Sequence, residues 1–323
     1  MIVDIHAHLF APAAHRELRE HPERFPGIEV VSASGETTFV FPGLSRSPPV
    51  PEAMTDLEAR LRWMDEEGID LQVFGPWTDL LGYTLPLDQG AEWARFQNEH
   101  SSRLCADTPR LIPMATVPLQ SPRLAARELE AARELGCRGV MIGSATPERE
   151  LDSPELEPFW DAAAGLRMPV FVHPIFLTRD PRLDAFGLAN AVGRANETAL
   201  AISRLLFSGA LLRYPDLAVI VAHGGAAIPF LLGRLRRNHQ LDPVERADPV
   251  AGFQRLFFDS VVLEAGAVHR LVEIAGSDRV LMGSDSPFPW EPHPVRTVRS
   301  SDLSATAIAG IEGGNAAALF GLE

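Results

Sequence analysis

The chain has 323 residues, of which 46% are hydrophobic and 22% are charged, proportions typical of a soluble globular protein with a large core. Its formal net charge of −14 argues against nucleic acid or an anionic membrane as a partner. The sequence has no run of eighteen apolar residues, and its start has neither a basic leader nor an apolar signal core, so we expect a cytoplasmic protein.

All 29 basic residues are arginine, and the sequence contains no lysine. This excludes a lysine Schiff base, and it excludes a carbamylated lysine that bridges two metal ions. The two cysteines, Cys105 and Cys137, are expected to be buried thiols rather than a disulfide.

A short apolar run followed by a longer amphipathic stretch recurs along the chain. Strands that alternate with helices pair in parallel, and eight such units close into a (β/α)₈ TIM barrel. We therefore predict one barrel domain over 1–323, ending in a C-terminal helix. The predicted strands are 2–6, 71–74, 112–117, 139–142, 170–173, 218–223, 256–259 and 280–283. The predicted helices are 55–68, 88–108, 121–136, 153–166, 188–213, 228–238, 264–275 and 302–320.

Residues 10–54 do not follow this alternation. They are rich in proline and glycine, and they contain a plausible hairpin with strands 28–32 and 37–41 around Ser34-Gly35-Glu36. We expect a small β subdomain, inserted after the first strand, that covers the mouth of the barrel.

The first predicted strand leads into two histidines, His6 and His8, separated by one residue. Because side chains alternate along a strand, these two should share a face, while Ile5 and Ala7 pack the other way. Neutral imidazole is a common ligand of zinc, so the pair predicts half of a metal site. A pair alone is equally compatible with two histidines on a surface strand.

Three further residues of metal-binding type stand at the ends of other predicted strands. His173 ends strand five, His223 ends strand six, and Asp285 follows strand eight. Catalytic side chains of a barrel come from the C-terminal ends of its strands, so these residues should converge on the mouth. Each alone could be a satisfied core histidine or a capping aspartate. Together they predict a site for one divalent ion.

Several short motifs of the sequence, taken together, are typical of one family. They are Asp4-Ile5-His6-Ala7-His8, Val172-His173-Pro174, Ala222-His223-Gly224-Gly225, Gly283-Ser284-Asp285, Pro287-Phe288-Pro289, Gly314-Asn315-Ala316 and the stretches 115–120, 196–202 and 229–234. These strings resemble the amidohydrolase superfamily. Within it they are similar to the branch of aminocarboxymuconate semialdehyde decarboxylase and related metal-dependent non-oxidative decarboxylases. The resemblance covers nearly the whole chain.

The resemblance implies four ligands for one zinc ion, with manganese as an alternative: His6, His8, His173 and Asp285. His223 would stay off the metal and act as an acid/base on the bound water or hydroxide, and Asp285 would share in proton transfer. A single ion agrees with the lysine-free sequence, because dinuclear relatives commonly use a bridging carbamylated lysine. Asp4 and Asp259 are candidates to hydrogen-bond a ligand histidine.

The same resemblance points to arginines that hold a substrate carboxylate. Arg234 matches a family arginine that reaches the substrate across a dimer interface, which implies a homodimer, and Arg46 in the insertion would be a second one. A guanidinium suits this role because it binds carboxylates in a bidentate manner. Either arginine could instead form a solvated surface ion pair. Trp77, on the loop after the second predicted strand, could wall a pocket of aromatic size or could simply pack within the loop.

Two positions depart from the family pattern and leave the substrate open. Ile175-Phe176 stands where the family typically has Trp-Asp, and Ser144-Ala145 stands where Thr-His or Asn-His is usual. We expect a metal-dependent carboxy-lyase that removes carbon dioxide from a small unsaturated or aromatic carboxylic acid. A hydrolase of a lactone, amide or carbon–carbon bond, a hydratase, or a barrel that binds a small acid without turnover are the alternatives.

Overall fold

Eight strands pair in parallel and follow one another around a barrel in the order of the sequence, which confirms the predicted (β/α)₈ fold. The computed structural model describes residues 1–33, 35–175 and 180–322. The barrel strands are β1 (Val3–His8), β4 (Leu71–Gly75), β5 (Leu111–Ala115), β6 (Gly139–Gly143), β7 (Val170–His173), β8 (Val219–Val221), β9 (Leu256–Asp259) and β10 (Val280–Leu281); β2 (Glu29–Ala33) and β3 (Glu36–Val40) form a separate antiparallel pair.

The segment that follows β10 closes the barrel against β1. The backbone N–H of Asp285 donates to the carbonyl of His6 at 2.7 Å, and the N–H of His8 donates to the carbonyl of Ser286, also at 2.7 Å. This pairing places Asp285 directly beside the two histidines of the first strand.

Strand β1 contains a β-bulge that changes the direction of its side chains. Its pairing with β4 shifts register between Asp4 and Ala7. Ile5 packs inside the barrel, as does the ring of His6, whose centroid lies 4.9 Å from that of Phe171, whereas Ala7 packs in the outer core. The prediction that Ile5 faces away from the histidines is therefore wrong, because a bulge breaks the regular two-residue alternation.

Helices cover the outside of the barrel, and within the described residues none has the length and apolar character needed to cross a membrane. The helix predicted over 188–213 is divided at Gly209, which has a left-handed φ of 68°. The helices are α1 (Pro12–Glu20), α2 (Leu57–Glu67), α3 (Leu87–Asp107), α4 (Pro122–Glu134), α5 (Glu157–Gly165), α6 (Arg194–Ser208), α7 (Ala210–Arg213), α8 (Ile228–Leu241), α9 (Pro249–Phe253), α10 (Ala265–Ala275), α11 (Pro294–Arg299), α12 (Ala305–Ala309) and α13 (Asn315–Phe320).

The region between β1 and α2 contains the hairpin that the sequence predicts, with both strands displaced by one residue. Ser34, at the predicted turn, lies outside the described residues. Helix α1 in the same region was not predicted. Phe39 of β3 and the following Phe41 are buried, and their rings lie 6.5 and 6.0 Å from that of Trp93 on α3. Apolar packing thus attaches the hairpin to the barrel wall.

Apolar side chains fill the interior of the barrel below the histidines. They belong to Val3, Ile5, Val73, Met114, Met141, Phe171, Ile220, Ala222 and Leu281, with Ala316 and Phe320 of α13 packed against them. The C-terminal helix therefore covers the end of the barrel opposite the mouth.

A substitution at Gly313, in the π-helical turn between α12 and α13, tests how the C-terminal segment packs against the start of the chain. A Cβ there would overlap the backbone oxygen of Met1, which cannot move like a flexible side chain. We expect Gly313→Ala to lower the free energy of unfolding by about 2 kcal/mol. Gly165→Ala, at an exposed helical position with open space around it, is the control and should be neutral or slightly stabilising. Equal unfolding temperatures for the two variants in calorimetry would contradict the described packing.

Candidate metal centre

Four buried side chains bring their donor atoms together at the mouth of the barrel. His6 and His8 come from β1, His173 ends β7, and Asp285 follows β10. One ligand atom from each lies within 4.8 Å of the others. The structure thus brings together the residues that the sequence places at separate strand ends.

Each of the three histidines is held through Nδ1 by an acceptor on a neighbouring segment. A histidine that donates Nδ1–H presents the lone pair of Nε2 to the other side of the ring, which is the arrangement a metal ligand needs. The three contacts are His6 Nδ1 to Asp259 Oδ2 at 2.6 Å, His8 Nδ1 to the Pro76 carbonyl at 2.9 Å, and His173 Nδ1 to the Pro174 carbonyl at 2.8 Å.

The inward-facing atoms have lone pairs that nothing in the described part of the chain satisfies. Nε2 of His6, Nε2 of His173 and Oδ1 of Asp285 are buried without a hydrogen-bond partner there. Oδ1 of Asp285 also lies 3.2 Å from Nε2 of His8. Buried acceptors that face one another are unfavourable unless a proton or cation lies between them. A set of three imidazoles and one carboxylate suits a divalent ion such as zinc.

The electrostatics of the cluster favour the ligand forms of His173 and Asp285, whereas the carboxylates around His6 raise the pKa of that ring against its burial. Burial lowers the pKa of His173 well below its ordinary value, and the neighbouring His8 and His223 add to this shift. Burial alone would raise the pKa of Asp285, but His6, His223 and His8 hold it well below its usual range. A neutral imidazole and an ionised carboxylate are the states in which these groups bind a cation.

Asp259, at the end of β9, supports the cluster from behind. Besides His6, its carboxylate accepts from the backbone N–H of His223 at 2.9 Å, of Gly224 at 2.7 Å and of Val261 at 3.1 Å. Burial opposes its ionisation, yet the hydrogen bond from His6 and the charge of that ring lower the pKa of Asp259. One buried anion therefore orients a predicted ligand and the turn that carries His223.

Asp4 forms a hydrogen bond to a predicted ligand histidine, as expected, but through the main chain of that residue. It accepts from the backbone N–H groups of His6 at 3.1 Å and Ser284 at 3.0 Å, from the Ser284 hydroxyl at 2.6 Å and from Gln72 Nε2 at 2.8 Å. It contacts the main chain of the histidine strand rather than an imidazole ring. Asp4 thus fixes the backbone that carries the donors.

His223 lies beside the four donors and outside their set. Its Nε2 is 3.8 Å from Oδ2 of Asp285, and 24% of its side chain is exposed. His223 has a left-handed φ of 56°, and Gly224 and Gly225 follow with φ of 60° and 74°. A Cβ on Gly225 would lie 2.7 Å from the ring of Phe258, so this tight turn requires glycine. The turn presents the imidazole to the open side of the cluster.

A cavity of about 250 Å³ lies next to the mouth, between the hairpin and the barrel. Arg46, Asp79, Tyr83 and Ile175 are among its lining residues, and the Tyr83 hydroxyl accepts from the N–H of Gly143 at 3.0 Å. Arg46 is half exposed and lies 4.0 Å from Glu29. Phe176, which follows Ile175, lies outside the described residues.

The other two predicted substrate-binding residues are neither among the four donors nor in the lining of this cavity. Trp77 is 3% exposed and packs in the outer core, whereas the adjacent Thr78 and Asp79 line the cavity. Arg234 lies on α8 with its side chain exposed, so within one chain it is not part of the buried cluster.

Sequence reasoning missed Arg194, the first residue of α6. It is partly buried, and the carboxylates of Asp285, Asp79 and Glu197 act on its guanidinium. The sequence offered only a weak signal: Glu197 follows three residues later, which places both side chains on one helix face.

The chain resembles known proteins over most of its length. A family model described as amidohydrolase matches residues 3–322. The 2-amino-3-carboxymuconate-6-semialdehyde decarboxylase of Dictyostelium discoideum is 30% identical over 277 residues, covering 83% of this chain and 77% of that protein. The gamma-resorcylate decarboxylase of a Polaromonas species is 28% identical over 320 residues, covering 92% of this chain and 98% of that protein.

A solved structure gives the same result in three dimensions. The 5-carboxyvanillate decarboxylase of Novosphingobium aromaticivorans, in complex with manganese and 4-hydroxy-3-methoxy-5-nitrobenzoic acid, superposes with a TM-score of 0.81 at 27% identity. The match covers all of this chain and 96% of that one. The family model over nearly the full length, together with the 30% identical relative, shows that the chain belongs to the amidohydrolase family.

Proposed function

We propose that the chain is a metal-dependent decarboxylase of a small aromatic or unsaturated carboxylic acid. The observation that carries this proposal is the buried cluster of three histidines and Asp285 with His223 on its open side. The matched relatives named above are decarboxylases, which favours carboxylate loss over the hydrolysis or hydration that the same groups could support.

The cofactor we propose is one divalent ion held by His6, His8, His173 and Asp285. Three imidazoles and a carboxylate favour zinc, and the manganese in the Novosphingobium structure makes manganese the alternative. When bound, the ion would supply Lewis acidity towards an oxygen of the substrate.

His223 would move the proton. It delivers a proton to the carbon that bears the carboxylate, the bond from that carbon to the carboxylate carbon breaks, and carbon dioxide leaves. The electron pair of the broken bond restores the conjugated system, and His223 regains a proton from water. Oδ2 of Asp285, 3.8 Å from Nε2 of His223, is at ion-pair distance and would stabilise the protonated imidazole, which gives Asp285 a part in the catalysis as well.

For the substrate carboxylates we propose Arg46, at the cavity, and Arg234 of a second subunit in a homodimer. Arg234 shares the exposed side of α8 with Phe230, which is 71% exposed, and the adjoining α6 exposes 57% of Leu200. Large apolar side chains exposed on neighbouring helices favour a protein–protein contact at this face. Trp77 would act indirectly, as packing behind the loop that lines the cavity.

His173→Ala tests the metal centre. Loss of one of four ligands should lower the bound metal, measured by elemental analysis of purified protein, by about tenfold or more. His21→Ala removes an exposed imidazole and should keep the wild-type content. A His173→Ala protein with a native circular dichroism spectrum and full metal content would contradict the ligand assignment.

His223→Ala tests the reaction. The wild type should release carbon dioxide from at least one member of a panel of aromatic and unsaturated acids. The variant should keep its metal and lose about 10²- to 10⁴-fold in rate, since a positioned acid/base contributes this much. An inactive wild type with full metal content would contradict decarboxylation, and we would then assay lactone hydrolysis and addition of water to unsaturated diacids. Metal loss in the variant would instead make His223 a ligand.

Co-expression of two inactive variants tests the shared site. Arg234→Ala and His223→Ala chains, carrying different tags, should recover about one quarter of the wild-type activity, because half of random dimers are mixed and each has one intact site. The control is Arg234→Ala co-expressed with a chain that carries both Arg234→Ala and His223→Ala. No chain in this pair has Arg234, so no dimer has an intact site. Activity no higher than this control would show that Arg234 does not act across an interface.

A further inference from the structure

Helix α6 is anchored at the barrel mouth through Glu197. This buried carboxylate accepts from the backbone N–H of Ile175 at 3.0 Å and lies 3.5 Å from the hydroxyl of Ser144. These two partners follow β7 and β6 directly. Arg194 lies one turn earlier on the same helix face, so its side chain is directed towards the same strand ends.

The surroundings of Arg194 contain carboxylates from three different segments. Among these carboxylates, Asp285 raises the pKa of the Arg194 guanidinium most, followed by Asp79 after β4 and by Glu197 on the same helix. Burial lowers the pKa of Arg194 while these carboxylates oppose the shift, and a guanidinium stays charged in proteins. A fixed positive charge therefore lies beside the donor cluster.

Asp79 lines the cavity and also interacts with Arg194. The positive charge of Arg194 therefore lies near the cavity. Arg46, at the same cavity, is half exposed, and Arg234 is on the outer surface. Arg194 interacts with Asp285 within its own chain. A partly desolvated guanidinium binds a carboxylate more strongly than an exposed one does.

We propose that Arg194 determines specificity by binding a second carboxylate of the substrate, and that Asp79 is the anion with which this carboxylate competes. This inference rests on the proposed function and narrows its substrate class to dicarboxylic acids. The carboxylate that is lost must lie near His223, so the one that Arg194 holds is a different group. Arg194 would thereby orient the ring or chain of the substrate across the mouth.

Calorimetric binding tests the proposal without turnover. The probes are benzoate and the three benzenedicarboxylates (1,2-, 1,3- and 1,4-), added to the purified protein with its metal content measured. At least one dicarboxylate should bind about tenfold or more tightly than benzoate, as expected for one charge-assisted pair. If none of the three binds more tightly than benzoate, the proposal is wrong.

Four variants show whether Arg194 causes the preference. Arg194→Met should abolish it while leaving the benzoate affinity within about twofold, and Arg194→Lys should restore part of it. Arg182→Met is the matched control, because Arg182 is 89% exposed and pairs with Asp180 two residues away. Asp79→Asn should strengthen dicarboxylate binding several-fold, since the competing anion is gone.

The directions of these changes separate specificity from a structural role. Damage to the fold would weaken benzoate and dicarboxylates together and could not produce tighter binding in Asp79→Asn. A preference retained in Arg194→Met would overturn the proposal. Failure of the decarboxylase proposal has a separate signature: dicarboxylate preference and metal content would be normal while no carbon dioxide is released.

Discussion

The hydrogen bond between Nδ1 of His6 and Asp259, 2.6 Å long, is the contact on which the rest of the site depends. It fixes the ring so that Nε2 faces the other donors. The same carboxylate accepts from the backbone of His223 and Gly224, so the predicted ligand and the predicted acid/base have a common support. Without the Asp259 carboxylate four N–H groups, the fourth being that of Val261, would lose a charged acceptor, at a cost of about 1–3 kcal/mol for each buried one. A residue that is not one of the four donors therefore fixes the geometry of the centre.

Backbone geometry provides the second constraint. The bulge in β1 and the pairing of β1 with the segment after β10 turn the histidines and Asp285 towards one point. Asp4 holds both segments at once, because its carboxylate accepts from the main chain of His6 and of Ser284. Strand ends in a barrel converge in any case, but convergence to within ligand distance requires these local features.

The sequence predicts the barrel well because its signals are local. Each strand is a short apolar run, and the polar residue at its end shows where a donor lies, which is how His173 and Asp285 were found. The bulge at Ile5 was missed because a period of two assumes a regular strand. Arg194 was missed because its partners are distant: Asp79 and Asp285 come from other strands, and only the closed barrel brings them near. The role proposed for Arg234 needs a second chain, and no pattern in one sequence describes how two chains meet.

The charge of the whole chain explains why position matters so much for the arginines. A net charge of −14 repels a carboxylic acid, so capture depends on a local positive field at the mouth. An exposed cation such as Arg46 attracts a carboxylate, but salt largely screens this attraction at separations beyond about 8–10 Å. Arg194 is partly buried, so salt and water weaken its field less. In the function proposed above, steering towards the mouth and selection within it would be tasks for different arginines, and selection would fall to Arg194, which the fold has partly removed from solvent.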